Sequence, residues 1–296
     1  MQGIYLLLAG IALIAASAFD IKTREVPDWL NYGLIISGIW LHFLEAVLFQ
    51  SYLPVLDSLL GAGIMFLLAL LMFYGGQWGG GDSKLLIGLG ATLGFNIAVF
   101  TKPFNLAEMP LLFNFLLNLI FVGVFYGVFW STYLAIKKRE KFVPEFRKNL
   151  TKYRHYRISL FMAVALFFVL SFFIGNFLIK VLLFTIIVLL VFGFYIWLFA
   201  KSVERSCLLK YIEPKQLTEG DWIAKDVYVN KKYITGPKDL GIEKSKIQLL
   251  IKLKSQGKIK KILIKEGIPF VPSFLIAYIF TIWAGNFFII AQNLII

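Results

Sequence analysis

Long apolar stretches separated by short polar ones dominate the hydrophobic pattern of this chain. Several of them reach the roughly 20 residues that an α-helix needs to cross the hydrocarbon core of a bilayer. Candidate spans lie at about 3–19, 29–50, 53–76, 84–101, 110–136, 158–174, 177–200 and 269–293. The pattern predicts an all-α polytopic membrane protein with about eight transmembrane helices.

Composition supports the same class. The chain is 59% hydrophobic and 17% aromatic, which is too apolar for a protein with one core in water. The first apolar run lacks a basic segment before it, and Asp20 stands where a signal peptide would have a small-residue cleavage site. We therefore expect a retained first helix in the lipid bilayer.

The basic residues predict the orientation. The formal net charge is +13, and Lys and Arg accumulate in the cytoplasmic loops of membrane proteins. With the N-terminus outside, every Lys and Arg except Lys102 and Lys180 falls on the cytoplasmic side. A basic chain can also bind nucleic acid, but topology accounts for the charge, so no nucleic-acid partner is predicted. The prediction is a multi-pass cell-membrane protein with both termini outside.

The segment 201–268 has a different composition, charged and with periodicities typical of soluble domains. The pattern predicts a strand at Trp222–Val229, a hairpin partner at Lys231–Thr235, a helix at Leu240–Ser255 and a last strand at Lys258–Lys265. This is a small cytoplasmic α+β module before the last helix. The predicted domains are thus 1–200, a transmembrane core with a basic cytoplasmic loop at 137–157 that we expect to lie on anionic headgroups, then 201–268, and the last helix in 269–296.

One acid stands out in the membrane region. Asp82 follows three glycines in the stretch Gln77–Lys84, between two apolar runs. Topology leaves Asp20, Glu25 and Asp28 as acids on the same side. Asp20 directly follows the first span, so two helices bring Asp20 and Asp82 to one depth.

Such a pair suits hydrolysis. Two carboxylates a few ångströms apart at low dielectric cannot both ionise, so they share a proton. The ionised member can take a proton from water while the neutral member donates to the scissile carbonyl. The glycines would let a peptide backbone approach closely. Cys207 is the single cysteine and His42 and His155 the only histidines, so no metal site and no cofactor are predicted.

A structural explanation of both acids stays open on the residues alone. Asp82 stands where the dipole of a helix N-terminus favours a negative charge, so it can serve only as a cap. Asp20 can merely pair with Lys22 or Arg24.

The residues around the two acids resemble a known family. The run Gly79-Gly80-Gly81-Asp82 is similar to the Gly-x-Gly-Asp signature of the GxGD aspartic proteases, and with Lys84 it resembles the Gly-x-Gly-Asp-x-Lys motif of their prepilin and preflagellin peptidase subfamily. The run from Asp20 through Lys22 and Val26 to Pro27 and Asp28 resembles the first motif of the prepilin and preflagellin peptidases, the type IV leader peptidases. The resemblance covers about residues 1–130, and Ile268–Pro272 before the last helix is also family-like.

This resemblance implies an archaeal aspartic endopeptidase. It would cleave the basic leader of type IV pilin-like or archaellin precursors on the cytoplasmic side of the membrane. Asp20 and Asp82 would be the catalytic pair. Lys22, Gly79, Gly81 and Lys84 would support them, and Pro27 and Asp28 would open the second helix. The cysteine-rich methyltransferase region of many bacterial members has no counterpart in this chain, so only protease activity is expected.

Two other classes compete with this interpretation. A presenilin-like intramembrane protease shares Gly-x-Gly-Asp, but it has a tyrosine before its first aspartate, where this chain has Phe19, and a Pro-Ala-Leu motif that this chain lacks. A membrane transporter or a non-catalytic assembly protein would favour polar groups at the bilayer midplane and often a repeat, whereas these acids cluster at one interface.

Overall fold

Packing divides the chain into two compact units in the computed structural model, which describes residues 1–101 and 109–287. The first unit is Met1–Phe129 with Gly267–Ile296, and the second is Trp130–Glu266. The division at residue 129 reflects packing, whereas the predicted domains 1–200, 201–268 and 269–296 follow composition. Those composition-based domains stay a prediction.

The first unit consists of helices around one apolar core. Its elements are α1 (Gln2–Thr23), α2 (Asp28–Leu48), α3 (Leu53–Tyr74), α4 (Gly80–Leu93), the first part of α5 (Leu111–Lys137) and α10 (Val271–Ala284). Side chains buried in the core come from most of these helices and include Leu13, Met65, Leu86, Phe115 and Phe274. The candidate functional residues all lie in this unit.

The mostly helical character predicted from the sequence is confirmed, and so is a small sheet region near the C-terminus. Among the described residues, six helices are long and apolar enough to cross a membrane: α1, α2, α3, α5, α7 (Arg154–Ser171) and α8 (Phe177–Val203). The predicted span 84–101 overlaps the 14-residue helix α4, which begins at Gly80, and the predicted span 269–293 contains the 14-residue helix α10. Helix α4 ends early because Gly94 adopts a left-handed φ of +67°. Residues 288–293 of the last predicted span lie outside the described residues.

Glycines allow α4 to lie deep between α2 and α3. A Cβ on Gly61 of α3 would lie 2.3 Å from the Gly90 carbonyl oxygen, and a Cβ on Gly90 would lie 2.4 Å from that of Gly61. On the α2 side, a Cβ on Gly88 would lie 2.9 Å from the side chain of Leu34. Small residues at such crossings let two helix backbones approach closely. The position of α4, and with it the position of Asp82, is therefore fixed from both sides.

Helix α10 joins the unit from the far end of the chain. It packs along α1, where the Tyr278 hydroxyl donates to the Leu6 carbonyl at 2.5 Å. On its other side, the Asn118 amide of α5 donates to Thr281 Oγ1 at 2.9 Å. These polar contacts hold the second half of α10 against the first part of α1 and against α5.

The second unit begins with helices. Helix α6 (Arg139–Lys152) forms within the basic loop predicted at 137–157, and it packs against α8. The Asn149 amide donates to Ser202 Oγ at 2.9 Å, and Phe142 lies edge-on to Phe199. That this basic segment lies on anionic headgroups stays a prediction.

The sheet region follows α8. Its elements are β1 (Leu209–Ile212), β2 (Trp222–Ile223), β3 (Val227–Val229), β4 (Lys232–Thr235), α9 (Lys244–Ser255) and β5 (Ile262–Lys265). Strand β5 pairs antiparallel with β1 and with β2, in the order β1-β5-β2. The single strand predicted at Trp222–Val229 is wrong, because β2 pairs with β5 whereas β3 pairs with β4 in a separate hairpin. Asn230 and Lys231 make the hairpin turn with positive φ angles of 52° and 64°.

Candidate active site

Asp20 lies in the last turn of α1 and is almost completely buried, with 4% of its surface exposed. Its carboxylate oxygen Oδ2 accepts a hydrogen bond from the backbone amide of Val271 at 2.9 Å. Val271 is the first residue of α10, so the two ends of the chain meet at this acid. Arg24, the alternative partner suggested by the sequence, adds a positive charge close to Asp20, alongside this amide.

Asp82 is the third residue of α4 and is half-buried. Its carboxylate hydrogen bonds to the backbone of Gly79, the residue that precedes the helix. This is the arrangement in which an acid at the third position of a helix reaches back to cap its start. Asp20 lies near enough for its negative charge to act on Asp82. The structure thus places the two predicted acids in the same region of the unit.

An ion pair connects the two motifs. Lys84 Nζ lies 2.6 Å from Asp28 Oδ1, so the lysine of the glycine-rich motif binds the last acid of the Asp20 motif. The same ammonium group lies 5.4 Å from the centre of the Tyr32 ring. Both charged side chains are partly exposed, which limits the stabilisation to about 1 kcal/mol or less. The pair joins the start of α2 to the start of α4 and so helps to hold the two helices in position.

Backbone packing provides a second connection. A Cβ on Gly81 would lie 3.1 Å from the amide nitrogen of Val26, so a larger residue at position 81 would push the two motifs apart. Asn31 of α2, with no exposed surface, donates its side-chain amide to the Gly81 carbonyl at 3.2 Å. Gly81 is therefore explained by close packing. Gly79 differs, since a Cβ there would lie 4.0 Å from Asp82 Oδ2, in ordinary contact with the carboxylate.

The other predicted supporting residues lie further from the acids. Lys22 lies two residues after Asp20 in the last turn of α1, and its side chain is exposed. Pro27 precedes the first residue of α2 in an extended conformation and so opens that helix, as expected from the sequence. Asp28 occupies the first turn of α2 and is the partner of Lys84.

Three residues at the site had no predicted role: Asn31, Trp78 and Val271. The Trp78 ring, next to the glycines, lies 5.3 Å from the Phe274 ring of α10 in an edge-to-face arrangement. Asn31 could have been noticed as an amide in an otherwise apolar helix. The prolines around Val271 mark a helix start, but no local signal indicates that this start meets Asp20.

Among the residues that the structure describes, no group of three or more His, Cys, Asp or Glu side chains could hold a metal ion. The arrangement that is present consists of two carboxylates, their backbone donors and a glycine-lined approach. This set can bind and move protons.

Comparison with known proteins identifies the class to which this region is similar. Residues 7–130 match the model of the type IV leader peptidase family. The matched region contains both motifs and all of the acids described above. The resemblance predicted from the two motifs is therefore confirmed over this region.

The curated relatives of this chain are all named as one kind of peptidase. The chain is 33% identical over 97 residues to a preflagellin peptidase of Methanococcus maripaludis, covering 32% of this chain and 42% of the relative. It is 29% identical over 156 residues to a preflagellin peptidase of Methanococcus voltae, covering 52% and 66% of the two chains. A preflagellin peptidase of Methanocaldococcus jannaschii is 33% identical over 96 residues, or 32% and 41%. The chain thus spans less than two thirds of each of these relatives. No solved structure gives a significant match.

Proposed function

We propose that this protein is a membrane-embedded aspartic endopeptidase that removes the basic leader peptide from type IV pilin-like or archaellin precursors. Asp20 and Asp82 are the catalytic pair, and cleavage takes place at the cytoplasmic face of the cell membrane. No cofactor and no nucleic acid takes part. The precursor protein and the lipid bilayer are the partners.

The observation that carries this proposal is that Asp20 lies near enough for its charge to act on Asp82, although the two acids are 62 residues apart in sequence. A cap would leave an acid alone at its helix end. Here one acid repels another in a largely buried place, which costs free energy and needs a compensating use. The match of residues 7–130 to a peptidase family supports that use.

The chemistry follows from the pair. At neutral pH the two carboxylates carry one proton between them. The ionised carboxylate removes a proton from water as it attacks the scissile carbonyl, and the protonated carboxylate donates to the carbonyl oxygen. In the next step the C–N bond breaks. The carboxyl group that took the proton from water gives it to the leaving amine, and the other carboxylate removes a proton from a hydroxyl of the tetrahedral intermediate, which restores the starting pair. Gly79 and Gly80 leave the backbone next to Asp82 without side chains, so that an extended substrate strand can approach.

The nature of the substrate is supported by the relatives, which are named preflagellin peptidases. A precursor of this kind has an apolar helix that follows its leader. Asp20 stands in the last turn of the candidate membrane-spanning helix α1, so an apolar helix in the bilayer can present its leader at that end. The positive-inside distribution of Lys and Arg supports the cytoplasmic face.

Coexpression with a preflagellin-type precursor tests the proposal. Immunoblotting follows the shift from precursor to mature protein for the wild type, for Asp20→Asn and for Asp82→Asn. We expect both variants to stop processing, because each keeps the side-chain shape but removes the acid. Glu45→Gln is the matched control, since Glu45 is an acid of the same unit that lies in α2 away from the pair. Processing that continues in either aspartate variant would exclude the pair as catalytic.

The presenilin-like alternative is distinguished by the cleavage position. N-terminal sequencing of the product places the cut before the apolar segment for a leader peptidase and within it for an intramembrane protease. No described feature of the structure favours a transporter.

A further inference from the structure

The start of α10 lies directly against Asp20. The Val271 amide donates to Asp20 Oδ2 at 2.9 Å, and the backbone of Phe270 makes a second contact with the same carboxylate. Val271 has no exposed surface and Asp20 has 4%, so this contact is shielded from solvent. The two residues are 251 positions apart, and no local folding requirement brings them together.

Asp20 serves α10 as a cap supplied by another helix. The first amides of a helix have no partner within the helix and are usually satisfied by a side chain just before it. The residue that precedes α10 is Phe270, whose side chain makes no capping hydrogen bond. Pro272 has no amide hydrogen, and the amide of Ser273 already donates to the Phe270 carbonyl at 2.9 Å. The amides of Phe270 and Val271 are the ones that remain for Asp20.

This contact distinguishes the two acids. Asp20 stands in the last turn of α1, where the helix dipole disfavours a negative charge, so the amides at the start of α10 offset that effect. The Arg24 side chain adds a positive charge nearby, and Tyr126 of α5 is a further titratable group close enough for the charge of Asp20 to act on it. The backbone of Gly79 favours the charged form of Asp82, whereas the negative charge of Asp20 opposes it. The negative charge of the pair is therefore better supported on Asp20 than on Asp82.

Aromatic packing makes the arrangement rigid. The Trp78 ring of the glycine-rich stretch lies 5.3 Å from Phe274 and 6.0 Å from Phe270. A Cβ on Gly123 of α5 would come within 2.9 Å of the Phe270 ring, so α5 presses Phe270 from the other side. Phe270 is thus held between α5 and Trp78 of the glycine-rich stretch. This packing fixes the direction of the neighbouring Val271 amide.

We propose that the N-terminus of α10, through the Val271 amide, is a positioning element that holds Asp20 in its ionised form, so that Asp20 is the general base and Asp82 the general acid. This inference rests on the proposed function for the names of the two roles. The proton distribution itself does not depend on any activity. It also gives the C-terminal helix a direct part in the site.

The test removes the single hydrogen of the Val271 amide. Exchange of valine 271 for the corresponding α-hydroxy acid in the full chain, by nonsense suppression, turns the amide into an ester and keeps the side chain. Suppression with valine itself gives the matched control. Val271→Ala is a second control that keeps the amide and removes side-chain packing. Proline at 271 is unsuitable, because Phe270 has a helical backbone conformation that a following proline disfavours.

The readout is the infrared absorption of protonated carboxyl groups as a function of pH in the purified protein. Subtracting the spectrum of the double variant Asp20→Asn, Asp82→Asn isolates the pair. We expect the lower-pH proton loss of the pair to move upward by about one pH unit in the ester protein, because the ionised Asp20 has lost its main donor. Both controls should titrate like the wild type.

An unchanged titration in a folded ester protein would overturn the inference, and so would an equal shift in Val271→Ala. If the precursor is cleaved, the acidic limb of the pH–rate profile should move in the same direction with little change in KM. A wild-type protein that cleaves no precursor defeats the proposed function, while the infrared titration still decides the role of α10.

Discussion

The two ends of the first unit both contain ionisable side chains among apolar helices, but they treat charge in opposite ways. The motif end, formed by Asp20, Asp28, Asp82 and Lys84, sets one carboxylate against another. The histidine end, formed by Tyr5, His42, Glu45 and Asp57, gives each polar side chain a neutral or backbone partner. The motif end is therefore arranged as a reactive site, whereas the contacts of the histidine end stabilise the packing of the helices.

Four contacts make up the histidine end. The Tyr5 hydroxyl donates to the Glu45 carboxylate, and the Tyr5 and His42 rings stack with their centres 4.2 Å apart. His42 Nε2 lies 3.1 Å from the Thr92 carbonyl oxygen, which can only accept, so Nε2 carries the proton. The amide of Ile97 donates to Asp57 at 2.7 Å. These bonds join α1, α2, α3 and α4 at this end.

The largest expected effect is a separation of activity from stability. Asp82→Asn should lower leader cleavage by about 10³-fold or more, since it removes a proton donor or acceptor. The same change should leave the thermal unfolding temperature equal or higher, because it ends the repulsion from Asp20. Glu45→Gln should show the reverse, with cleavage kept and a lower unfolding temperature. Cleavage assays and thermal unfolding in detergent provide both numbers, and a parallel fall of both quantities in Asp82→Asn would contradict the comparison.

Helix α4 connects the two ends, and its packing gives the next largest effect. Gly61→Val on α3 should destabilise the protein by about 3 kcal/mol, because the new side chain meets the Gly90 carbonyl. It should also impair cleavage, since a displaced α4 moves Asp82. Gly63→Val is the matched control on the same helix, where a Cβ meets nothing within 4 Å. Denaturant unfolding and cleavage are measured for both variants, and similar results would mean that the crossing of α3 and α4 is looser than described.

The sequence predicted the motif end better than its surroundings. Asp20 and Asp82 were chosen because acids are rare in apolar helices and topology restricts which acids can meet; that they are the catalytic pair stays a prediction. The helical class follows from the length of the apolar runs, whereas α4 is shorter than its run because Gly94 bends the chain. Val271 could not be predicted, since a backbone amide has no signature in sequence and its partner lies 251 residues away. The histidine end was missed because its acids, judged alone, resemble ordinary helix-end residues.

The hydrogen bond between Tyr5 and Glu45 tests whether the histidine end is cohesive. Tyr5→Phe should destabilise the protein by about 1–3 kcal/mol, because Glu45 loses its donor in a half-buried place. Cleavage should stay near the wild-type rate. Tyr52→Phe serves as the control, as 76% of Tyr52 is exposed. Thermal and denaturant unfolding are the measurements, and a Tyr5→Phe protein of unchanged stability but reduced cleavage would assign this end a part in function.

The smallest effect concerns the ion pair that joins the motifs. Lys84 and Asp28 are 2.6 Å apart, with 35% and 62% of their side chains exposed. An exposed pair of this kind contributes about 0.2–1 kcal/mol, and salt screens it. Lys84→Met and Asp28→Asn should each lower the free energy of unfolding by less than about 1 kcal/mol, and the double variant should cost no more than the larger single change.

Cleavage assays distinguish a positioning role of the ion pair from a direct role of Lys84 in the reaction. If the pair registers α2 against the start of α4, each single variant should lower cleavage by only a few fold, and raising the ionic strength should lower wild-type cleavage by a similar factor. The charge-exchanged variant Asp28→Lys, Lys84→Asp should recover most of the loss, since the same two helices are again joined by opposite charges. A loss of several hundred fold that charge exchange does not restore would instead place Lys84 beside the reacting atoms. The motif end would then consist of two acids and a lysine acting as one group, a sharper contrast with the closed contacts of Tyr5 and His42.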